Sequence, residues 1–396
     1  MHSLPQDHTG TRIARLRRER HLSQKALSEL SQVPYSTLTK VEQGRIPASP
    51  HVIGSVARAM RVDVATIQGQ PYLNELRADQ LDLLITPIRR SLDVYDLGVD
   101  PDIRVRRSEE LHRDAENLCA SVRAGEIKSA ASRVAGLIEE GTTAAHASQT
   151  HEGWLTLASF YRSAYDVAAK LGYPDLAQLS LARLDWAAKR GSDAVLGGMY
   201  HYLRSLTYLR DGQYRTGGRL VELGLATIAQ AESSRERQVV TGQIHLGAAV
   251  IAGRAHDEDN ARNHLSEAER IAGETGEAAQ VHWLAFGPTN VGVHRVSVLA
   301  ELDQYGKAVE AADQTRIPAD WPKSRTSHHY AEVARAQLWT GRTEDAFKNL
   351  LMARKVAPQQ AKYHPTVRET YAGLEAAHRR LPDSFLSYGA WLGPAA

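Results

Sequence analysis

The stretch LRRERHLSQ at residues 16–24 decides how the start of this chain folds. Leu16 continues an apolar helical face that begins at Ile13, whereas Ser23 is a favoured N-cap for a new helix. The sequence therefore predicts a first helix over residues 11–20, followed after a very short connection by a second helix.

Three more helices are predicted downstream from their end signals. Pro34 suits the first turn of a third helix, and Gly44 stops that helix because glycine accepts a left-handed backbone. Ser49 caps a fourth helix that runs to Met60, and Asp63 caps a short fifth. Five short helices, with a tight turn between the second and the third, indicate a helix-turn-helix unit.

This pattern resembles the Cro/phage-repressor (XRE) helix-turn-helix family over about residues 11–68. The elements that carry the resemblance are residues 16–24, then Val33, then VEQG at residues 41–44. Gln32 departs from the family, which usually has glycine in the turn, and Pro34 replaces the usual serine or threonine cap. Gln32 must then take the left-handed turn conformation at some cost, or the turn must differ.

The resemblance implies a DNA-binding surface on the second and third helices. It places Gln24 as an anchor on a backbone phosphate, with Arg12 and Arg45 as further phosphate contacts. The side chains that it directs toward base edges in the major groove are Tyr35, Ser36 and Lys40, with Thr39 beside them. Arg17 and Glu42 match a family ion pair that holds the first helix to the third. A domain that has lost DNA binding is the alternative.

Positive charge is concentrated in this same part of the chain. Residues 1–68 hold ten lysines and arginines against five acidic residues, whereas the remaining 328 residues hold 38 against 41. A surface that contacts phosphates would produce this asymmetry, and so would an ordinary solvated basic face.

Residues 69–107 are predicted to connect this domain to the rest of the chain. Apolar residues recur at helical spacing from Leu73 to Tyr95, which predicts a packed helix with a kink at Pro87. The expected domains are therefore a DNA-binding domain at 1–68, a connecting helix and loop at 69–107, and a helical-repeat domain at 108–396.

The helical-repeat domain is predicted from small residues that recur within helix-length segments. The clearest copy, residues 334–358, resembles the tetratricopeptide repeat and has Ala346 at the close-packing position; the equivalent residues are Ala130, Ala177, Gly217, Ala261 and Ala308. Their spacing of 38 to 47 residues exceeds the roughly 34 of that repeat, so the array is divergent. The predicted fold class is all-α: a five-helix helix-turn-helix domain followed by a tetratricopeptide-like α-solenoid with a concave inner surface.

Aromatic and polar residues on the first helix of each pair would face that concave surface. The candidate ligand-binding residues are Tyr200, His245, Trp283, Asn290, His294 and Tyr330. Gly287 and Pro288 predict a helix N-terminus, where unpaired N–H groups attract anions, and this helix would place Asn290 and His294 on one face. Core packing for these residues, and a purely structural start for this helix, are the alternatives.

A helix-turn-helix domain followed by such repeats is similar to peptide-responsive regulators of Gram-positive bacteria and to actinobacterial regulators of the same architecture. The resemblance implies a sequence-specific transcriptional regulator with a double-stranded DNA operator, a homodimeric state, and a signalling peptide or small molecule bound by the repeats. A DNA-anchored scaffold whose repeats dock a partner protein is the alternative. No enzyme, cofactor or metal site is expected, because the sequence shows no phosphate loop, metal-spaced Cys/His set or triad signature.

Compartment signals favour the cytoplasm. Cys119 is the single cysteine, so no internal disulfide can form. No apolar run approaches the roughly 18–20 residues of a membrane helix, and residues 1–10 lack the apolar core of a signal peptide. No membrane partner is expected.

Overall fold

The computed structural model describes residues 8–378 and 382–393, and within these ranges the regular secondary structure is helical. The head, which we define as residues 8–68, contains five helices: α1 (Thr9–Glu19), α2 (Gln24–Ser31), α3 (Tyr35–Glu42), α4 (Pro50–Met60) and α5 (Val64–Gln68). Two of the three predicted N-caps form, since Ser23 Oγ accepts from the Ala26 amide and Ser49 Oγ accepts from the Val52 amide. Asp63 stands at the N-cap of α5 but makes no side-chain cap hydrogen bond. The all-α prediction is confirmed.

The head has an apolar core of its own. Ile13, Leu27, Leu38, Val56 and Ile67 come from its five helices, and each is fully buried. This core fixes the angles between the short helices, which would be only marginally stable alone.

The turn between α2 and α3 accommodates glutamine at position 32, where the resembled family usually has glycine. Its backbone is left-handed, with φ of 59°, so glutamine occupies the conformation that glycine adopts most readily. Its amide Nε2 donates to the Glu29 carbonyl at 2.6 Å, which offsets part of the cost. Pro34 is the N-cap of α3 and provides no side-chain cap.

The connecting segment forms two helices, α6 (Leu73–Ala78) and α7 (Ile85–Asp93), instead of the single kinked helix that the periodicity predicted. The helical path is interrupted at residues 79–81, where Gln80 has a φ of 58°. Pro87 lies in the first turn of α7, where no backbone N–H is needed, and therefore does not kink it. Both helices pack into the repeat core.

Six pairs of helices follow. They are α8 (Ser108–Ala124) with α9 (Ile127–Ser148), α10 (His151–Leu171) with α11 (Pro174–Arg190), α12 (Ala194–Arg210) with α13 (Tyr214–Ile228), α14 (Arg235–Arg254) with α15 (Glu258–Thr275), α16 (Pro288–Glu301) with α17 (Tyr305–Gln314), and α18 (Lys323–Trp339) with α19 (Thr343–Val356). The predicted small residues all lie near the start of the second helix of a pair and are buried: Ala130, Ala177, Gly217, Ala261, Ala308 and Ala346. Close packing of the two helices explains why these positions stay small.

Three further helices bring the end of the array back to its beginning. They are α20 (Pro358–Tyr363), α21 (Pro365–Ala377) and α22 (Asp383–Leu392). Lys170 Nζ on α10 donates to Gln360 Oε1 on α20 at 2.6 Å, and Lys362 Nζ pairs with Asp79 beside α6 at 2.8 Å. The helix pairs therefore curl into a ring whose two ends touch.

The head lies against this ring through α4 and the segments next to it. Arg58 donates to the Gly212 carbonyl in the α12–α13 turn, and His51 Nδ1 lies 3.2 Å from the carbonyl oxygen of Arg254. Glu369 of α21 accepts from Thr9 Oγ1 at 2.7 Å and from the Ala48 amide at 2.6 Å. Three separate parts of the ring thus hold the head in one orientation.

Candidate nucleic-acid interface and central cavity

The outer face of α3 presents polar side chains to solvent although the head is held by the ring. Tyr35 is 53% exposed, and Ser36, Lys40 and Arg45 are also exposed. Thr39 is half-buried on the same helix. Of the five side chains between residues 35 and 45 that are expected to contact the major groove or a phosphate, four are therefore accessible to a DNA duplex.

A hydrogen-bonded network beneath this face fixes α2 and α3 relative to α1. Arg17 donates to both carboxylate oxygens of Glu42, at 2.7 and 2.8 Å, which is a two-point contact of matched geometry. Gln24 Nε2 donates to the same carboxylate at 2.8 Å, and the Tyr35 hydroxyl lies 3.4 Å from Gln24 Oε1. Gln24 therefore links the Arg17–Glu42 pair to the first residue of α3.

Arg12 does not belong to this face. It is 7% exposed, and its guanidinium donates to the carbonyl oxygens of Ile67 at 2.8 Å and Gln68 at 3.3 Å. These contacts tie α1 to the end of α5. Arg12 therefore does not provide the expected phosphate contact. Its side chain donates to carbonyl groups at a helix end inside the head.

Comparison with known families places the same boundaries on this unit. Residues 8–68 match a family model described as a helix-turn-helix domain. The head is a helix-turn-helix DNA-binding domain. No curated protein and no solved structure gives a significant match to the chain.

A cavity of about 390 Å³ lies between the head and the ring. The ring contributes the first helix of each pair, as expected for a concave surface. The head contributes Pro50, Ile53, Val64, Ala65 and Gln68, from α4 and α5. The volume is within the range of sites for small molecules, and the DNA-binding domain forms part of the wall.

Two of the six candidate ligand-binding residues, Trp283 and His294, line this cavity. His294 Nδ1 lies 2.8 Å from the Asn290 carbonyl oxygen, and burial with the nearby Arg325 lowers the pKa of His294 to about 3, so its ring is neutral. The other four, Tyr200, His245, Asn290 and Tyr330, are not part of the cavity wall. They pack within or between helices, and their expected role in ligand binding stays a prediction that this cavity does not support.

The four residues outside the wall have structural contacts instead. Tyr200 accepts from Arg204 at 3.1 Å, and His245 pairs with His264 across α14 and α15 at 2.9 Å. Asn290 is fully buried and donates to Gln243 at 3.0 Å. Tyr330 packs against the core of the last helices.

The helix N-terminus predicted at Gly287 and Pro288 exists, but a carboxylate of the chain itself occupies it. Gly287 is the N-cap of α16, and the Thr289 amide donates to Glu277 Oε1 at 2.8 Å. Because Glu277 supplies the negative charge that this end attracts, it is not open to an anionic ligand.

One wall of the cavity carries an excess of positive charge. The cationic cluster consists of Arg123 (α8), Arg162 and Lys170 (α10), Arg210 (α12) and Arg325 (α18). Asp166 is the carboxylate among them and pairs with Arg123 at 3.1 Å. Across the residues that the structure describes, none of the other four cations has a carboxylate within salt-bridge distance.

Burial makes this excess costly. Arg162 is 4% exposed and its Nε has no hydrogen-bond partner among the described residues. Burial and the neighbouring Arg123 lower the pKa of Arg162 to about 10. Burial likewise lowers the pKa of Lys170 to about 8, with Arg123 and Arg325 adding to the effect. The pKa of Asp166 is lowered, because the surrounding cations outweigh its own burial.

A second group of charged residues shows how this protein balances buried charge elsewhere in the cavity wall. Glu301 accepts from Arg254 at 2.7 Å and from Arg335 at 3.0 Å, and Arg335 also pairs with Glu332. Two arginines and two glutamates thus alternate in one network. Asp211 also borders the cavity, but burial raises its pKa and no cation pairs with it at salt-bridge distance among the described residues.

Sequence reasoning missed the cationic cluster, although a signal was present. Arg162, Asp166 and Lys170 recur every four residues along α10, a helix whose other positions are largely apolar and buried. Charged side chains at that spacing lie on one helix face and in this setting indicate a polar stripe inside the fold.

Every helix within residues 8–378 and 382–393 is too short or too polar to span a lipid bilayer. The same residues contain no group of three histidine, cysteine or acidic side chains placed to hold a metal ion.

Proposed function

We propose that this protein is a sequence-specific DNA-binding transcriptional regulator whose helical repeats bind a signal, a peptide or a small molecule, and mediate dimerisation. One observation carries the proposal. The helix-turn-helix head exposes α3 to solvent on one side, and on the other side it forms part of the wall of a cavity enclosed by the repeats.

For DNA reading, α3 would lie in the major groove. Lys40 would donate to guanine O6 and N7, and Tyr35 would contact a thymine methyl group or a phosphate. Ser36 and Thr39 would face neighbouring base edges. Gln24 and Arg45 would bind backbone phosphates and set the position of α3 along the duplex.

For signal transmission, the shared cavity supplies a physical route. A ligand there would contact ring helices and, through Ile53, Val64 and Gln68, the head itself. A ligand that binds the docked arrangement more tightly than an undocked one would shift the population toward docking. Two heads must reach half-sites about 34 Å apart, so a change in head orientation would alter operator affinity in a dimer.

The proposed domain division is residues 1–68 for DNA binding, 69–107 for the connection and 108–396 for signal binding and dimerisation. The proposed place of action is the cytoplasm, where the operator DNA is found.

Genome-wide footprinting with the purified full chain tests the proposal. We expect a defined, two-fold symmetric site that weakens with salt and is lost in Lys40→Ala. Light scattering of the protein–DNA complex should give two chains per site. Salt-sensitive binding at all sequences, unchanged by Lys40→Ala, would instead make the head a basic anchor and favour a scaffold whose repeats dock a partner protein.

A further inference from the structure

The cationic cluster departs from the usual treatment of charge inside proteins: Arg162 is buried and Arg123, Lys170 and Arg325 are half-buried, while Arg210 is exposed. Unpaired buried charges are expensive, and natural proteins pair them or neutralise them. The Arg254–Glu301–Arg335–Glu332 network, of which Arg254, Glu301 and Glu332 line the same cavity, follows that rule. The cluster of Arg123, Arg162, Lys170, Arg210 and Arg325 does not, because among the described residues a single carboxylate, Asp166, stands against five cations and lies within salt-bridge distance of Arg123 alone.

The side chains of the cluster leave donors directed into the cavity. Arg162 Nη2 has a weak contact, 3.4 Å, with the Trp283 carbonyl oxygen, and its Nε has no acceptor among the described residues. Lys170 Nζ donates to Gln360 Oε1, which leaves two of its three protons for other acceptors. Arg210 is exposed to the cavity and has a 3.4 Å contact with the Tyr165 hydroxyl. Planar guanidinium groups are the preferred donors for carboxylate and phosphate oxygens.

We propose that the cavity between the head and the ring is a binding site for a multiply charged small-molecule anion, whose phosphate or carboxylate oxygens are held by Arg123, Arg162, Lys170, Arg210 and Arg325. The bound anion supplies the negative charge that the ring itself lacks. The neutral His294 and the apolar Ile53 and Val64 contact the rest of the molecule. That this anion is the signal rests on the proposed function; that it binds does not.

Titration calorimetry of the full chain tests the site with two probes at constant ionic strength: sodium pyrophosphate for the phosphate class and sodium citrate for the carboxylate class. Sodium chloride is the blank. We expect saturable binding of at least one probe with one site per chain. The probe that binds more tightly identifies the class of oxyanion.

The key variant is the double substitution Arg162→Gln and Arg325→Gln. We expect its Kd for the binding probe to be at least about 30-fold weaker, since losing one charged partner of a buried pair costs about 2 kcal/mol and 1.4 kcal/mol is tenfold. In anion-free buffer the variant should melt at a temperature no lower than that of the natural protein, because two uncompensated charges are gone. Arg219→Gln removes an exposed arginine outside the cavity and should leave Kd unchanged.

Failure of both probes to bind saturably overturns the proposal, and so does a double variant that binds like the natural protein. These outcomes are separate from those of footprinting. If the chain binds pyrophosphate or citrate at this site but recognises no defined DNA sequence, the anion site is supported and the regulator function is not. If it recognises a defined operator but binds neither anion, the regulator function is supported and the anion site is not.

Discussion

Gly54 of the head and Gly212 of the ring lie so close that neither position has room for a side chain. A β-carbon on Gly54 would be 3.0 Å from the Gly212 Cα, and one on Gly212 would be 2.8 Å from the Gly54 Cα. Arg58 and Tyr214 surround this contact, with the guanidinium 5.4 Å from the ring centroid. The head and the ring therefore meet backbone to backbone.

Gly212→Ala should loosen the head from the ring. The new β-carbon would collide with Gly54 and with Arg58, and its φ of 68° adds strain. We expect faster hydrogen exchange across α4, measured by mass spectrometry on the full chain. Gly341→Ala is the matched control, because Gly341 has a φ of 76° but no neighbour within 4 Å. Equal exchange of α4 in both variants would show that the glycine contact does not hold the head.

Lys40→Ala should weaken binding to the operator by roughly 5- to 150-fold without changing the melting temperature. A side chain that reads a base contributes about 1–3 kcal/mol of discrimination, and Lys40 is exposed with no core role. Electrophoretic mobility shift titration measures the loss. Lys307→Ala removes an exposed lysine on α17, far along the chain from the head, and should bind DNA like the natural protein. A similar loss in both variants would point to a general charge effect.

Glu42→Gln should destabilise the head by about 3 kcal/mol, because it leaves the Arg17 guanidinium with a neutral partner in a mostly buried position. Hydrogen exchange of α2 and α3 amides reports this local free energy. In a double-mutant cycle with Arg17→Met, the two losses should not add, since either change removes the same pair. Glu29→Gln, an exposed carboxylate on α2, should have little effect. Additive losses would mean that the pair contributes nothing beyond its separate members.

Lys170→Met should make the anion-free protein more stable near pH 7. The folded-state pKa of Lys170 is lowered to about 8, so its charged form is disfavoured on folding at pH values below 8. Between pH 8 and the ordinary lysine pKa of about 10.4, the unfolded chain binds more protons, and the stability of the natural protein rises with pH. The advantage of the variant should therefore shrink over that range.

The groups that face Lys170 and set this behaviour are Arg123, Asp166, Arg210, Arg325, His328 and His364. Melting temperatures of the natural protein and the variant, compared from pH 7 to pH 10, check the expectation. Lys355→Met, an exposed lysine on α19, is the control. A melting-temperature difference between the natural protein and Lys170→Met that stays constant from pH 7 to pH 10 would contradict the expectation.

Glu301→Gln should destabilise the ring by about 3–5 kcal/mol, because it removes the carboxylate that Arg254 and Arg335 share. Substitutions that remove a charge from the cationic cluster are expected, in contrast, to be neutral or stabilising. Burial alone would raise the pKa of Glu301, but the two arginines lower it to about 2. Its contribution is therefore present above the ordinary glutamate pKa and is lost as the pH falls toward 2. Urea denaturation at pH 7 and pH 3 measures both effects.

Local sequence determined the head almost completely. Ser23, Ser49 and Gly44 act on the backbone within a few residues of themselves, so the helix ends they predict do not depend on distant contacts. The small residues of the repeats also depend on local contacts. Ala130 and Ala346 are small because each lies where two helices adjacent in sequence cross closely. The break at residues 79–81 escaped prediction because it depends on packing against the ring, while Pro87 sat where proline costs nothing.

The site was decided by the tertiary structure. Arg123, Arg162, Arg210 and Arg325 come from four separate helices, and only the closure of the ring directs them into one cavity. Arg12 and Asn290 looked like surface or ligand-binding residues in the sequence, yet the fold buries both against partners distant in the chain. Helix caps and small residues act over one turn or one helix pair, whereas charge balance in a cavity depends on every segment that surrounds it. The sequence alone therefore determined the five helices of the head and the small residues of the helix pairs, whereas the closure of the ring decided where the connecting segment breaks and which buried charges meet.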